Sequence, residues 1–255
     1  MKIISNPNPQ IPTSFERFYL SFQAQKVGYL QGCRPFIGLD GCHLKGPYVG
    51  ILLCAIAIDA NCGVYLVALG VIEIECLDSW RWFLDLLHRH VGVHENKQVC
   101  FMTDRQKGII AALNKVWPNH NSRFCCRYIL QNMLSRFKLD YLRDIFWHAA
   151  TSSNKVAFLK AMDEIKQTSP QAHAYLNNIS LETWAVHAFE TVCKTEHNTN
   201  NVVEAFNGWM NKHLTLPMLT MMERVRRKLM KRIQDRYEAA MLWEWNIPPM
   251  IYQKL

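Results

Sequence analysis

Three long apolar segments follow one another in the first third of the chain. They span residues 36–44, 49–58 and 64–74, and short turn sequences such as Asp59–Gly63 separate them. Apolar runs that are joined by short polar turns predict an antiparallel β-meander. The second and third segments are apolar almost throughout, so we expect this sheet to be covered on both faces.

The segments that follow alternate between helical and extended spacing of their apolar residues. In chain order they are a helix over 78–91, a strand over 98–104, a helix over 105–117, a strand over 122–126 and a helix over 127–137. A meander followed by alternating helices and strands predicts an α/β protein with a mixed sheet.

The two ends of the chain have different patterns. Residues 1–12 contain three prolines and two asparagines and are expected to form a loose leader, whereas residues 14–29 have apolar residues at helical spacing. Three later stretches also predict helices, at 139–189, 199–213 and 220–245, and the last of them is strongly basic.

The composition of the chain indicates which class of partner it binds and in which cellular compartment it is found. The 255 residues carry a net charge of +8 with a pI near 9.0, which favours a polyanionic partner such as nucleic acid. The nine cysteines are odd in number and form no Cys-x-x-Cys pair, as expected in a reducing intracellular compartment. The longest apolar run, at 48–58, is too short to span a bilayer, so we expect a soluble chain without a membrane partner.

Two predicted strands end on an aspartate. Asp40 follows "FIGL" and Asp104 follows "CFMT". If these strands are neighbours, the carboxylates meet at one edge of the sheet, where a divalent cation would offset their repulsion. Each aspartate also fits a turn or a helix cap, and Asp104 opens a helical segment. The pattern leaves both hypotheses open.

Glu204 is the third candidate carboxylate. It shares one face of a predicted helix with Asn200, Asn207 and Asn211, while apolar residues occupy the opposite face. Such a face either lines a polar cleft or is exposed to solvent. Asn201 and Glu204 also have the spacing of a capping box, which would explain the glutamate without any chemistry.

Four segments together resemble a known family. They are "FIGLDGCHLKG", "FMTDRQKGIIAAL", "RFCCRYILQN" and "NTNNVVEAFNGWM". In this order they resemble the transposase domain of plant Mutator-like elements (MULE), and the resemblance runs from about residue 14 to residue 254. It implies a ribonuclease H-like fold, with a five-stranded mixed sheet, flanking helices and an all-helical insertion before the helix of the catalytic glutamate.

The resemblance also implies the site and its chemistry. The Asp-Asp-Glu triad of the family falls on Asp40, Asp104 and Glu204, which would hold two Mg²⁺ (or Mn²⁺) ions. The implied reaction is phosphoryl transfer on DNA, in which the ends of the element are cut and joined to target DNA. The partners would be the terminal inverted repeats, target DNA and further copies of the chain, and the location would be the nucleus.

The resemblance divides the chain into five parts. They are a leader and helix (1–34), the first part of the ribonuclease H-like core (35–138), the helical insertion (139–195), the helix that completes the core (196–213) and a basic C-terminal helix (214–255).

One motif departs from the family pattern. The family has Cys-x-x-His where this chain has Cys125 and then Tyr128, and tyrosine supplies no imidazole ligand or proton shuttle near neutral pH. The DNA-binding and zinc-finger regions that flank the domain in full-length relatives also have no counterpart here. We therefore expect a catalytic core that is a fragment or a degenerate copy, or a domesticated protein that binds DNA or regulates transcription without cutting.

Other polar residues predict weaker sites. Basic residues beside the second aspartate and on the C-terminal helix are candidates for contacts with DNA phosphates; they are Arg105, Lys107, Arg226, Arg227 and Lys231. His43 either faces the cleft or is a polar residue at a strand end. A zinc site formed by Cys193 and His197 with Cys125 or Cys126 has no standard ligand spacing.

Overall fold

A seven-stranded sheet runs through the part of the chain that the computed structural model describes, namely residues 2–4, 14–46, 49–91, 98–193, 195–243 and 247–253. Its strands are β1 (Lys2–Ile4), β2 (Ser14–Leu20), β3 (Cys33–His43), β4 (Ile51–Asp59), β5 (Val64–Ile72), β6 (Cys100–Thr103) and β7 (Asn121–Phe124). Across the sheet the order is β1-β2-β5-β4-β3-β6-β7.

Strands β3 to β7 form the mixed sheet that the sequence predicts. β4 pairs antiparallel with both β3 and β5, whereas β6 pairs parallel with β3, and β7 pairs parallel with β6. Strands β3, β5, β6 and β7 therefore all point the same way, and their C-terminal ends lie at one edge of the sheet. Three antiparallel strands followed by two parallel strands form a mixed α/β sheet consistent with a ribonuclease H-like fold.

The helix expected over residues 14–29 is wrong in its first half. Ser14–Leu20 is strand β2, which pairs antiparallel with β5, and the helix spans Gln23–Gly32. Phe18 packs against one apolar cluster and Tyr19 against the cluster on the opposite face, which is the alternation of a strand. The apolar residues of this segment also recur every four residues, so the sequence alone favours a helix.

The expected leader is also structured at one point. Lys2–Ile4 forms strand β1, which pairs antiparallel with β2 and extends the sheet beyond the five predicted strands. The loose-leader prediction is therefore wrong for these residues. The rest of the leader, residue 1 and residues 5–12, lies outside the described residues.

Helices cover both faces of the sheet. They are α1 (Gln23–Gly32), α2 (Leu77–Val91), α3 (Lys107–Val116), α4 (Cys126–Phe137), α5 (Leu142–Thr151), α6 (Lys155–Thr168), α7 (Pro170–Asn177), α8 (Asn201–Met210), α9 (Met218–Met241) and α10 (Pro249–Tyr252). No helix within the described residues is long and apolar enough to cross a membrane.

Alternate residues of the central strands enter two apolar clusters. Ile37 and Leu39 of β3 pack with α2 and α3 on one face, while Phe36 packs with α8 and α9 on the other. This burial on both faces confirms the expectation drawn from the continuous apolar runs. By the same alternation Asp40 belongs to the face that α8 covers.

Helices α4 to α7 form a helical block with an apolar core of its own. Within it the rings of Phe146 and Trp184 are stacked with their centroids 5.6 Å apart. Cys126, the first residue of α4, is already part of this core. The block lies between β7 and α8 in the chain and flanks the edge of the sheet where Asp104 ends β6.

Candidate active site

Asp40 and Asp104 stand on neighbouring strands at the same edge of the sheet. β3 and β6 run parallel, and Gly38 pairs with Met102. Each aspartate lies two residues beyond that pair, and both side chains are half-buried. The structure thus brings together the two carboxylates that the sequence places at strand ends.

Hydrogen bonds fix the Asp40 carboxylate. The Gly41 backbone N–H donates to its Oδ1 (2.9 Å) and the Asn207 Nδ2 donates to its Oδ2 (3.1 Å). Burial, helped by the nearby charges of Asp104 and Glu75, raises the pKa of Asp40 to about 7 despite these two hydrogen bonds, which favour the charged form. A cation at this point would relieve both the desolvation and the repulsion.

Helix α8 packs closely against β3 at Gly38. A Cβ atom on Gly38 would lie 2.7 Å from both Asn200 Oδ1 and Val203 Cγ2, so only glycine allows the helix to pack this closely. The Asn200 Nδ2 donates to the Leu39 carbonyl (3.2 Å). This contact fixes the first turn of α8 against the strand that carries Asp40.

The polar face of α8 lines the cleft at Asn207 and is exposed to solvent at Asn211. Asn207 contacts Asp40, and the Lys45 Nζ donates to Asn211 Oδ1 (2.7 Å). A capping box with Glu204 requires Asn201 as the N-cap residue. The N-cap residue is instead Asn200, and its side chain makes no capping hydrogen bond, so the capping-box explanation of Glu204 is wrong.

Glu204 is paired with Arg127 of α4. The Arg127 Nη1 contacts Glu204 Oε2 in an ion pair, and its Nη2 donates to Asn201 Oδ1 (3.0 Å). In the described part of the chain, the oxygens of Asp40, Asp104 and Glu204 do not all lie within 4.8 Å of one another. Glu204 thus faces the cleft, but a guanidinium neutralises its charge.

Removing this guanidinium is expected to strengthen metal binding at the cleft. Arg127 is about half exposed, so its pair with Glu204 contributes up to about 1 kcal/mol. In Arg127→Ala the free carboxylate should increase the Mn²⁺ affinity of the DNA-free protein by about two- to fivefold. Calorimetric titration measures this change, with Arg143→Ala on α5 as the control. A weaker affinity would show that Arg127 does not compete with the cation.

Tyr128, where the resemblance implies a histidine, lies in the cleft beside Asp104. Burial, followed by the charges of Asp40, Asp104 and Glu204, raises the pKa of Tyr128 to about 12. The hydroxyl therefore stays protonated at neutral pH and is available as a hydrogen-bond donor. Cys125 has a structural contact, because its buried Sγ accepts a hydrogen bond from the Asn200 backbone N–H (3.3 Å).

Glu75 is a fourth carboxylate that the sequence analysis did not single out. It follows β5, whose C-terminal end lies at the same edge as Asp40, and the Trp80 Nε1 donates to its Oε1 (3.0 Å). Burial raises the pKa of Glu75, and Asp104 adds to this rise. The available signal is an acid three residues after Ile72, the last residue of a third strand with the same direction.

Asp104 lies in the turn that joins β6 to α3. The Gln106 backbone N–H donates to Asp104 Oδ1 (3.0 Å), and Gln106, not Asp104, caps α3. Arg105 has a φ of 72°, a left-handed conformation that non-glycine residues adopt at some energetic expense. The helix-cap explanation of Asp104 is therefore wrong, although its carboxylate does stabilise the turn.

The two basic candidates beside Asp104 have different surroundings. The Arg105 Nη1 donates to the Tyr175 hydroxyl (3.3 Å), and its guanidinium lies over the Phe124 ring. It lines a cavity of about 580 Å³ between Asp104 and the helical block, together with Arg136. Lys107, at the start of α3, is exposed.

The basic candidates of α9 lie on its exposed face. Arg226 and Arg227 both pair with Glu223, at 2.7 Å each, and Lys231 is exposed. The apolar side of α9 packs on the sheet through residues such as Val225 and Leu229. The helix is therefore amphipathic, with its basic surface directed outward.

The zinc ligands suggested by the sequence do not come together. Cys125 Sγ contacts Asn200, Cys126 Sγ donates to the Trp184 carbonyl (3.3 Å), and His197 Nδ1 lies 2.5 Å from Thr195 Oγ1. His43 is exposed at the end of β3.

Comparison with known families yields a match to the segment that contains part of this site. Residues 36–132 match the model of the MULE transposase domain, which confirms the resemblance over a segment that contains Asp40, Asp104, Cys125 and Tyr128. Glu204 lies outside the matched segment. No curated protein matches the chain. The match relates the chain to transposases, and the mixed sheet agrees with that relation.

Proposed function

We propose that this chain is the catalytic domain of a DDE-type DNA transposase that performs metal-dependent phosphoryl transfer. The observation that carries the proposal is the placement of Asp40 and Asp104 side by side on parallel strands, under a helix whose polar face bears Glu204. The matched family supports the same assignment.

The donor set fits a hard divalent cation. Asp40, Asp104 and Glu204 would hold two Mg²⁺ (or Mn²⁺) ions, and Glu75 adds a further carboxylate at the same edge. Oxygen ligands of this kind suit Mg²⁺. Burial and the charges of Asp104 and Glu75 raise the pKa of Asp40, and a bound cation would offset both effects. Bound there, the ions would lower the pKa of the attacking water or hydroxyl and stabilise the leaving oxygen.

The surrounding residues orient the carboxylates and the DNA. Asn207 and the Gly41 N–H hold Asp40 in one orientation, which is the preorganisation that phosphoryl transfer requires. Arg127 would leave Glu204 and pair with a DNA phosphate, an exchange of one anionic partner for another. The protonated Tyr128 hydroxyl would donate a hydrogen bond to a phosphate oxygen.

The DNA would lie along the basic surfaces beside this cleft. Arg105, Lys107 and the outward face of α9, with Arg226, Arg227 and Lys231, would contact the backbone without reading sequence. The net charge of +8 supports such binding. The proposed DNA partners are the terminal inverted repeats of the element and target DNA. The proposed location is the nucleus, and joining two ends calls for more than one copy of the chain.

Tyr128 favours a second function, DNA binding without cleavage. Tyr128 stands where an imidazole is expected, so the chain would bind DNA as a domesticated, non-cutting protein if catalysis requires that imidazole. Tyr128→His separates the two proposals, because it would gain nicking activity only under the second one.

A nicking assay tests the first proposal. Wild-type protein with Mg²⁺ or Mn²⁺ should nick DNA that carries the terminal repeats of the element, and Asp104→Asn should lower the rate by about 10³-fold or more, as for other essential active-site groups. Asp163→Asn, on the exposed face of α6, should leave the rate unchanged. Equal rates in wild type and Asp104→Asn, or no nicking by either, would overturn the catalytic assignment.

A further inference from the structure

Two buried thiols and a carboxylate converge outside the carboxylate cleft. The ligand atoms of Cys100, Glu190 and Cys193 all lie within 4.8 Å of one another, and no other set of three metal-ligating side chains in the described residues does so. Cys100 begins β6, whereas Asp104 follows its last residue. The two sites thus lie at opposite ends of one short strand.

The three ligands join separate parts of the fold. Cys100 belongs to the sheet, while Glu190 and Cys193 belong to the loop that leads from the helical block back to α8. Both cysteines are fully buried and their thiols are free. The cluster therefore lies where the return loop docks on the sheet.

The carboxylate of Glu190 is held in place. The Cys193 backbone N–H donates to its Oε2 (3.1 Å), and the Arg123 Nη2 donates to its Oε1 (3.2 Å). Arg123 is itself fully buried and also donates to the Thr195 carbonyl (2.5 Å). Each oxygen of Glu190 retains a lone pair after these bonds.

The donor chemistry and the charges select the metal. Two sulfurs and one oxygen suit Zn²⁺, which binds thiolates and carboxylates tetrahedrally. Its ligand atoms lie about 3.5–3.8 Å apart in such a site, so small side-chain rotations suffice here. Two thiolates and a carboxylate carry three negative charges, which Zn²⁺ and the buried Arg123 guanidinium balance.

Solvent reaches the cluster at Glu190, whereas Cys100 and Cys193 are fully buried. A cavity of about 660 Å³ is lined by Glu190, Thr195 and His197. Three protein ligands with an open fourth position are compatible with zinc when a water molecule completes the tetrahedron. The cavity supplies both that water and a path of entry for the ion.

We infer that Cys100, Glu190 and Cys193 bind one Zn²⁺ ion that ties the return loop of the helical block to β6. The ion would hold the segment that leads into α8 and so stabilise the junction between block and sheet. This site is independent of the Mg²⁺ chemistry proposed for the cleft.

Metal analysis of the whole chain tests the inference. Protein purified with a reductant and without chelators should contain one zinc per chain by mass spectrometry of the metal, and Co²⁺ added to the metal-depleted protein should produce thiolate-to-cobalt charge-transfer bands. Both signals should be lost in Cys193→Ser and Cys100→Ser. They should persist in Cys126→Ser, which alters another fully buried thiol, and in Asp104→Asn.

Three results would overturn the inference. Zinc that remains in Cys193→Ser would lie elsewhere. If wild-type protein shows no cobalt bands and all nine thiols can be titrated, the cysteines bind no metal. Loss of two titratable thiols that a reductant restores would show a disulfide. If the serine variants fail to fold, the cobalt titration is carried out on wild-type protein and on Glu190→Gln. The inference predicts cobalt bands in wild type and their loss or weakening in Glu190→Gln.

Discussion

Asp40→Asn should raise the free energy of unfolding of the metal-free protein by about 2 kcal/mol at pH 8. Burial and neighbouring acids raise the pKa of Asp40 from 3.8 to about 7 in the folded state. Above pH 7 the wild-type protein therefore carries a buried, poorly compensated charge that asparagine removes. The pKa rise sets a ceiling of roughly 4 kcal/mol, and partial solvent exposure lowers the expected gain.

The contribution of Asp40 to the free energy of unfolding depends on pH with a defined sign. Between about pH 4 and pH 7 the folded protein binds more protons at Asp40 than the unfolded chain does, so this group lowers stability as the pH rises through that window. Asp40→Asn should lose this slope, while exposed Asp163→Asn should keep it. Denaturant titrations at pH 5 and pH 8 measure the difference, with and without Mg²⁺.

Magnesium should reverse the effect in wild-type protein only. A cation that binds the folded state stabilises it by mass action, so Mg²⁺ at pH 8 should raise the stability of wild type and not of Asp40→Asn. Equal pH slopes in the two proteins, or equal stabilisation by Mg²⁺, would contradict the account of Asp40 as a buried cation ligand.

Gly38→Val should separate α8 from the sheet and abolish nicking. Even a Cβ atom at this position would lie 2.7 Å from Asn200 and Val203 of the docked helix, so a valine cannot be accommodated without moving α8. We expect a loss of stability of about 3 kcal/mol, at the upper end for overpacking. Glu204 and Asn207 would then lose their positions relative to Asp40.

Gly208→Ala provides the matched control on the same helix. A Cβ atom there meets nothing within 4 Å, so alanine should stabilise α8 by about 0.5–1 kcal/mol and leave nicking intact. Thermal unfolding and the nicking assay measure both variants. A Gly38→Val protein with wild-type stability and activity would show that the close approach of α8 is not required.

The central strands and the two aspartates could be predicted because local pattern and topology agree. The apolar run 36–39 is short and is followed by further apolar runs joined by short turns, which favours a buried strand. Parallel neighbours bring their strand ends to one edge of the sheet. The segment 14–20 is predicted as a helix because its apolar residues recur at a spacing of three to four residues, and only its pairing with β5 makes it a strand.

Long-range contacts account for what the sequence did not reveal. Arg127 and Glu204 are far apart in the chain and meet only because the helical block folds α4 against α8. Glu75 joins the cleft because β5 has the same direction as β3, two strands away. Cys100 and Cys193 likewise require the return loop to dock on β6.

Cleavage of the polypeptide by bound iron locates the proposed metal site most directly. Fe²⁺ occupies oxygen-ligand sites of this kind, and with ascorbate and peroxide it generates radicals that cut the nearby backbone. The account predicts cuts near residues 40, 104 and 204 that excess Mg²⁺ suppresses and that are absent from the Asp40→Asn/Asp104→Asn double variant. Cuts confined to other segments, or unchanged near residues 40 and 204 in the double variant, would contradict it.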